Sequence, residues 1–244
     1  MKKNKSASLE ARLTNSKDLI AYLKDFSLYS PSSEDLKIEN YADYVNSVDS
    51  QITPFKNSEE VLNSAEKVNN EVFEKIELIS RFVGSEIAEL KGKDSVQFRQ
   101  VNSVLKKITG VNITEFARKK REIIGKLKEG EPVPEFTSVS ELNKRSVLGN
   151  FRSLIAVIRT FDFYKPADPA ISLSALESLE AEALNSLSEV AGKESEYINQ
   201  RSRMIHYFED KGGLKDRASR AKLHVKRKYG IKSPEYRSLI YRKF

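Results

Sequence analysis

An all-α fold, arranged as two tandem, internally duplicated antiparallel helical bundles, is what this chain predicts, and three observations carry the expectation. Residues 19–31, LIAYLKDFSLYSP, return as LIAVIRTFDFYKP at 154–166, an offset of 135. Further on, GKDSVQFR at 92–99 returns as GIKSPEYR at 230–237, an offset of 138, so two matches recur in the same order. Apolar residues recur at three- and four-residue spacings, while no segment alternates between turn residues as a half-buried strand would.

Each copy reads as a helix ending at a Tyr-x-Pro corner, a second helix, a reversal and a long third helix. In the first copy the corner is Tyr29–Pro31, with Phe26 expected in the core. Ile38, Tyr41, Val45, Val48 and Ile52 form the apolar stripe of the second helix, and Pro54 is expected to stop it. Asn57 with Glu60 supplies a capping box for a third helix, whose stripe is Val61, Ala65, Val68, Val72, Ile76, Ile79 and Val83. Gly92 stands past its end, where a left-handed residue is wanted, and Ser95 caps a short final helix. A connecting helix is expected over Ile113–Lys128, followed by the linker EGEPVPEFT at 129–137.

The second copy begins with a capping pair, Ser138 and Glu141. Val147, Leu148, Phe151, Leu154, Ile155, Ile158 and Phe161 then make the strongest amphipathic run in the chain, ending at the Tyr164–Pro166 corner. Phe161 is expected to be buried like Phe26. Gly212 and Gly213 should divide the long helix of this copy, because each glycine is about 1 kcal/mol worse than alanine inside a helix. Gly230, Ser233 and Pro234 repeat the closing cap. The boundaries that follow are a first repeat at 1–110, a connecting helix and linker at 111–137, and a second repeat at 138–244.

Composition narrows the function by exclusion. The 244 residues are 39% hydrophobic and 32% charged, as in folded globular chains. With no cysteine there is no disulfide, thiol nucleophile or cysteine-ligated metal. No apolar run has the length of a membrane span, and the basic start MKKNK is not followed by the apolar core of a signal peptide. The chain therefore reads as cytoplasmic, with no membrane partner. Phosphate-binding, nucleophile-elbow, zinc-protease and EF-hand motifs do not occur. His206 and His224 fall on different helices and read as exposed or interface side chains rather than ligands. Acid pairs such as Glu180/Glu182 are two apart, so they diverge on a helix. No catalytic residue, metal ligand or cofactor is expected, and the chain reads as a non-enzyme.

The duplication offers an internal comparison. At the 138-residue offset, 76–91 lies opposite 214–229, and the inward positions pair as Ile76/Leu214, Ser80/Ala218, Val83/Ala221 and Ile87/Val225. The outward positions differ. The first copy carries Glu77, Glu86 and Glu89 against Arg81 and Lys91. The second carries Lys215, Arg217, Arg220, Lys222, Lys226, Arg227 and Lys228 against Asp216 alone. These seven are the candidate residues for binding phosphates or an acidic partner. Around a helical wheel, however, they flank the apolar stripe on both sides, which also suits long stems covering the edges of a core. A second basic cluster, RKKR at 118–121, matches a localisation signal but is read as a chance tetrad, since short basic runs are common. The first reading is a structural, assembly or adaptor protein presenting helical surfaces to protein partners and able to self-associate. The alternative is a nucleic-acid-binding protein using 214–244.

Overall fold

The computed structural model describes residues 8–110, 143–242 and Phe244, and among them every regular element is helical. The elements are α1 (Leu9–Asp25), α2 (Ile38–Lys91), α3 (Val96–Ile108), α4 (Lys144–Arg159), α5 (Leu173–Glu209), α6 (Leu214–Tyr229) and α7 (Pro234–Ile240), with single 3-10 turns at Glu34–Leu36 and Pro169–Ile171. The helix expected at 113–128, the linker 129–137, the Ser138/Glu141 pair, RKKR and the basic amino-terminal start lie outside the described residues.

Local chemistry sets the ends of these helices. Ser8 caps α1 by accepting from the Ala11 N–H at 3.2 Å, and Asn143 caps α4 by accepting from the Ser146 N–H at 2.8 Å. Both helices end in the same corner. The Tyr29 hydroxyl donates to the Leu36 carbonyl at 2.9 Å, and the Tyr164 hydroxyl donates to the Ile171 carbonyl at 2.6 Å, seven residues on in each case. Both tyrosines are buried, whereas Phe26 and Phe161 are only half-buried, against expectation. The reason is visible in the turn: the chain swings the tyrosine inward three residues later, while Phe26 tilts against Tyr229 and Phe161 stacks on Phe163.

Neither of the expected reversals occurs. α2 runs unbroken through Pro54, and α5 runs unbroken from Leu173 to Glu209. Tyr41, Val45, Val48, Ile52, Ser58, Leu62, Ala65 and Asn69 are buried at spacings that keep one phase across the proline. Pro54 and Ser50 are both exposed, so the i+4 hydrogen bond that proline cannot make is missing on the solvent side of the helix. The inward stripe is also rotated from the expected one. Val61 and Val68 are 44% and 48% exposed, and Leu62 and Asn69 take their places. The expected break at the paired glycines does occur: α5 ends at Glu209 and α6 begins at Leu214, with Gly212 at φ +84°. A Cβ on Gly213 would lie 2.9 Å from the Asp210 and Tyr207 carbonyl oxygens, so the turn is closed to larger residues.

Because the long helices do not turn back, each carries the chain out of one compact unit and into another. One unit holds the residues through Asn63 together with those from Lys193 onward; the other is Ser64–Gly192. The compact units are therefore not the sequence repeats 1–110 and 138–244. The core of the first contains Leu19, Leu23, Tyr41, Val45, Phe208 and Leu214, with Ala218, Ala221, Val225 and Leu239. Within it α2 and α5 run antiparallel, Tyr44 meeting Tyr207 and Phe55 stacking on Tyr197. In the second unit Ile76, Val83, Ile87, Val101, Phe151 and Leu154 pack with Ile158 and Leu176. There the same antiparallel sense places Asn69 by Ser186 and Lys75 by Glu182. At Gly84, α3 comes close to α2: an added Cβ would overlap Leu105 Cδ1.

Candidate interaction surface

Helix α6 carries all seven candidate basic residues. Its apolar stripe, Leu214, Ala218, Ala221 and Val225, is buried, as are Ile76, Ser80, Val83 and Ile87 in α2. The charged side chains divide into the two flanks that helical geometry dictates, and the neighbours of each flank decide what is left for a ligand.

One flank lies along the 26–36 corner. The Arg217 guanidinium donates to the Gly212 carbonyl at 2.6 Å and the Asp35 carbonyl at 2.5 Å, and lies 4.0 Å above the Tyr44 ring. Arg220 binds Asp216 at 2.9 Å and also pairs with the Asp35 carboxylate. That Arg220 bond, helped by the Ser33 hydroxyl, holds the Asp35 carboxyl down at about 2. His224 is buried beside them, edge-on to Tyr29 at 5.2 Å, and its Nε2 accepts from the Ser30 N–H at 3.3 Å. Burial, with Arg227 and Lys228 adding like charge, pushes the His224 imidazole below its ordinary value.

The other flank lies along the carboxy-terminal segment. Lys222 donates to the Arg242 carbonyl at 2.7 Å and sits 4.5 Å over the Phe244 ring, and burial lowers its pKa. Lys226 lies 6.0 Å from the Tyr236 ring centroid, near the limit of such an attraction. Lys215 binds Glu209 at 2.9 Å, near the turn into α6, and this bond lowers the Glu209 pKa. Lys215, Arg217, Arg220 and Lys222 thus serve contacts within the chain. Arg227 and Lys228 remain exposed, with Lys232 and Arg237 beyond them. The seven do not converge on one ligand-sized site.

Arg227→Gln and Lys228→Gln should each change stability by less than about 0.5 kcal/mol, as exposed substitutions do. Arg220→Gln should cost about 1–2 kcal/mol, because it strips the charged bond from a half-buried Asp35 that solvent screens only in part. Urea unfolding of the three variants checks the contrast. A pH series tests His224. Its folded pKa lies below the ordinary 6.5, so its stabilising share is complete above that pH and is lost as pH falls below it. His224→Gln keeps an acceptor for Ser30 and cannot gain charge, so the loss on acidification below about 6.5 should disappear. The Asp35 share is lost only further down, between 3.8 and about 2.

One polar pair escaped sequence reading. Asp210 stands four residues after His206, and its carboxylate is 2.7 Å from His206 Nδ1 on the exposed side of α5. The pair lines an open groove of about 910 Å³ with Gln51, Asn199 and Arg203. Among the described residues no three His, Asp or Glu side chains come together as a metal site, and no helix is long and apolar enough to cross a membrane. Comparison with protein-family models, curated proteins and solved structures finds no match to this chain.

Proposed function

We propose that the chain is a non-enzymatic structural or adaptor protein of the cytoplasm, a duplicated helical scaffold that presents its helix faces to protein partners. The observation that carries this reading is the engagement of Lys215, Arg217, Arg220 and Lys222 within the chain. Side chains holding a corner and a tail in place are not free to meet phosphates, so the basic helix is explained by its own neighbours. The nucleic-acid alternative keeps Arg227, Lys228, Lys232 and Arg237, which are exposed around the end of α6.

The duplication is supported by positions that share a role at a fixed offset. At 135, Phe73 and Phe208 are both buried, as are Asn69 and Met204. At 138, so are Val101 and Leu239, and the offset changes across the α5–α6 turn, where the extra residues are accommodated. Core volumes also compensate. Ser16 with Tyr41 in one unit corresponds to Phe151 with Leu176 in the other, and all four are inaccessible to solvent.

Size-exclusion chromatography with light scattering, with and without DNA or RNA at two salt concentrations, tests the reading. Elution indifferent to nucleic acid is expected. A salt-sensitive shift that Arg227→Gln and Lys228→Gln reduce would establish the alternative instead, each lost phosphate contact removing close to one unit of salt slope.

A further inference from the structure

We propose that the groove between α2 and α3 is a docking site for an extended acidic segment of a partner protein. The inference deepens the adaptor reading above and rests on it for the kind of partner. The groove has a volume of about 450 Å³ and lies wholly within the Ser64–Gly192 unit. Its apolar part comes from Gly84 and Ala88 of α2 and from Phe98 and Leu105 of α3. Arg81, Lys93 and Lys106 stand around it, and among the described residues no carboxylate lines it. Glu77 already holds Arg81, whereas Lys93 and Lys106 make no ion pair among the described residues.

The two free lysines set the shape of the occupant. Lys93 precedes α3, and Lys106 lies in its last turn. The helix rises roughly 15 Å from Val96 to Lys106, so no single phosphate or carboxylate reaches both lysines. An extended chain covers that span in about five residues. Between the ends, Asn102 presents a side-chain amide that makes no hydrogen bond among the described residues. Such an amide both donates and accepts, which is the pairing that a peptide group returns. A segment with two acidic side chains about five residues apart, and an apolar one between them, therefore meets each feature. Nucleic acid would instead set a charge on every residue against a stretch that is apolar.

The internal comparison shows that the duplicated fold does not require this groove. At the 138-residue offset the second copy has Lys222, Leu223, Lys226 and Ile240 where the groove has Gly84, Ser85, Ala88 and Asn102. Its three cations become Ser219, Ile231 and Phe244, although the second copy is the more basic of the two along this helix. Lys226 there lies 6.0 Å from the Tyr236 ring, at the places that Ala88 and Phe98 hold in the first copy. Small and polar residues thus keep open in one copy what long side chains occupy in the other.

Fluorescence anisotropy of the full chain with labelled eight-residue peptides reads the outcome. The peptides carry glutamate at the second and seventh positions and leucine or phenylalanine midway between them. Wild type should bind them, and should bind glutamine-substituted counterparts about tenfold more weakly. Lys93→Glu and Lys106→Glu should each weaken binding about fivefold. Asn102→Ile, which installs the residue of the second copy, should weaken it about tenfold with the urea midpoint unchanged. Arg227→Gln, in the other unit, should leave binding as it is. Peptides that do not bind, binding indifferent to Asn102→Ile, or an equal loss from Arg227→Gln each overturns the groove. So does displacement of the peptide by an RNA oligonucleotide whose own affinity falls with Lys93→Glu. A nucleic-acid shift that Arg227→Gln reduces overturns the scaffold reading and leaves peptide binding intact, whereas peptides that fail to bind leave the scaffold reading standing, so the two failures are distinguishable.

Discussion

Phe151→Ala should destabilise the protein by about 3–5 kcal/mol. The side chain is inaccessible to solvent and packs in the Ser64–Gly192 unit with Leu154, Ile158, Ile76 and Leu176. Removing it strips the largest apolar group of α4 and leaves a cavity that helices fixed at both ends close only in part. Phe161→Ala, at the end of the same amphipathic run, should cost about 1–2 kcal/mol, because a half-buried ring has less apolar area to lose. Its main neighbour, Phe163, is itself partly exposed. Urea midpoints at constant m-value separate the two effects. Equal losses would show that the core extends further into the corner than the burial pattern indicates.

Pro54→Ala works in the opposite direction and should stabilise the chain by about 2 kcal/mol. Proline inside a helix costs roughly 3 kcal/mol through the missing N–H and the crowded preceding turn. Alanine recovers this but returns conformational freedom to the unfolded chain, worth about 0.4–1 kcal/mol in the other direction. Position 54 faces solvent and the stripe on either side of it is in phase, so the substitution has no packing to disturb. For a chain of this size the melting temperature should rise by roughly 4–8 °C. An unchanged or lower melting temperature would mean that the freedom alanine returns to the unfolded chain outweighs the recovered helix bond.

The all-helical class, the two tyrosine corners, the Ser95 and Ser233 caps and the break at Gly212–Gly213 were all legible, because each rests on residues close in sequence. The buried set of α4, from Val147 to Ile158, was legible for the same reason. Continuity through Pro54 was not, since it depends on burial summed over many turns outweighing one local penalty. The phase of the middle of α2 was misread because Val61 and Val68 are more apolar than Asn69, whose inward place is fixed by its bond with Ser186. On α6 the split of basic residues into two flanks followed from helical geometry. Their partners, Asp35, Tyr44, Arg242 and Phe244, come from distant segments and could not be read from spacing. His224, read as an exposed or interface side chain, is buried under the first corner, where it meets Ser30 and Tyr29.

The division at Asn63 and Lys193 has a consequence for the order in which the molecule can be made. Ser64–Gly192 is one uninterrupted stretch, so a growing polypeptide can finish that unit while α6 and α7 are still to be synthesised. The other unit cannot close until α6 and α7 emerge. During that interval Leu19, Leu23, Tyr41 and Val45 lack the Leu214–Val225 stripe that later covers them. Residues made before the Ser64–Gly192 unit are thus buried after it. Loop closure across so long an intervening segment adds little entropy, since its cost grows only logarithmically with length. Exposure time, more than closure entropy, is the hazard this topology imposes on a newly made chain.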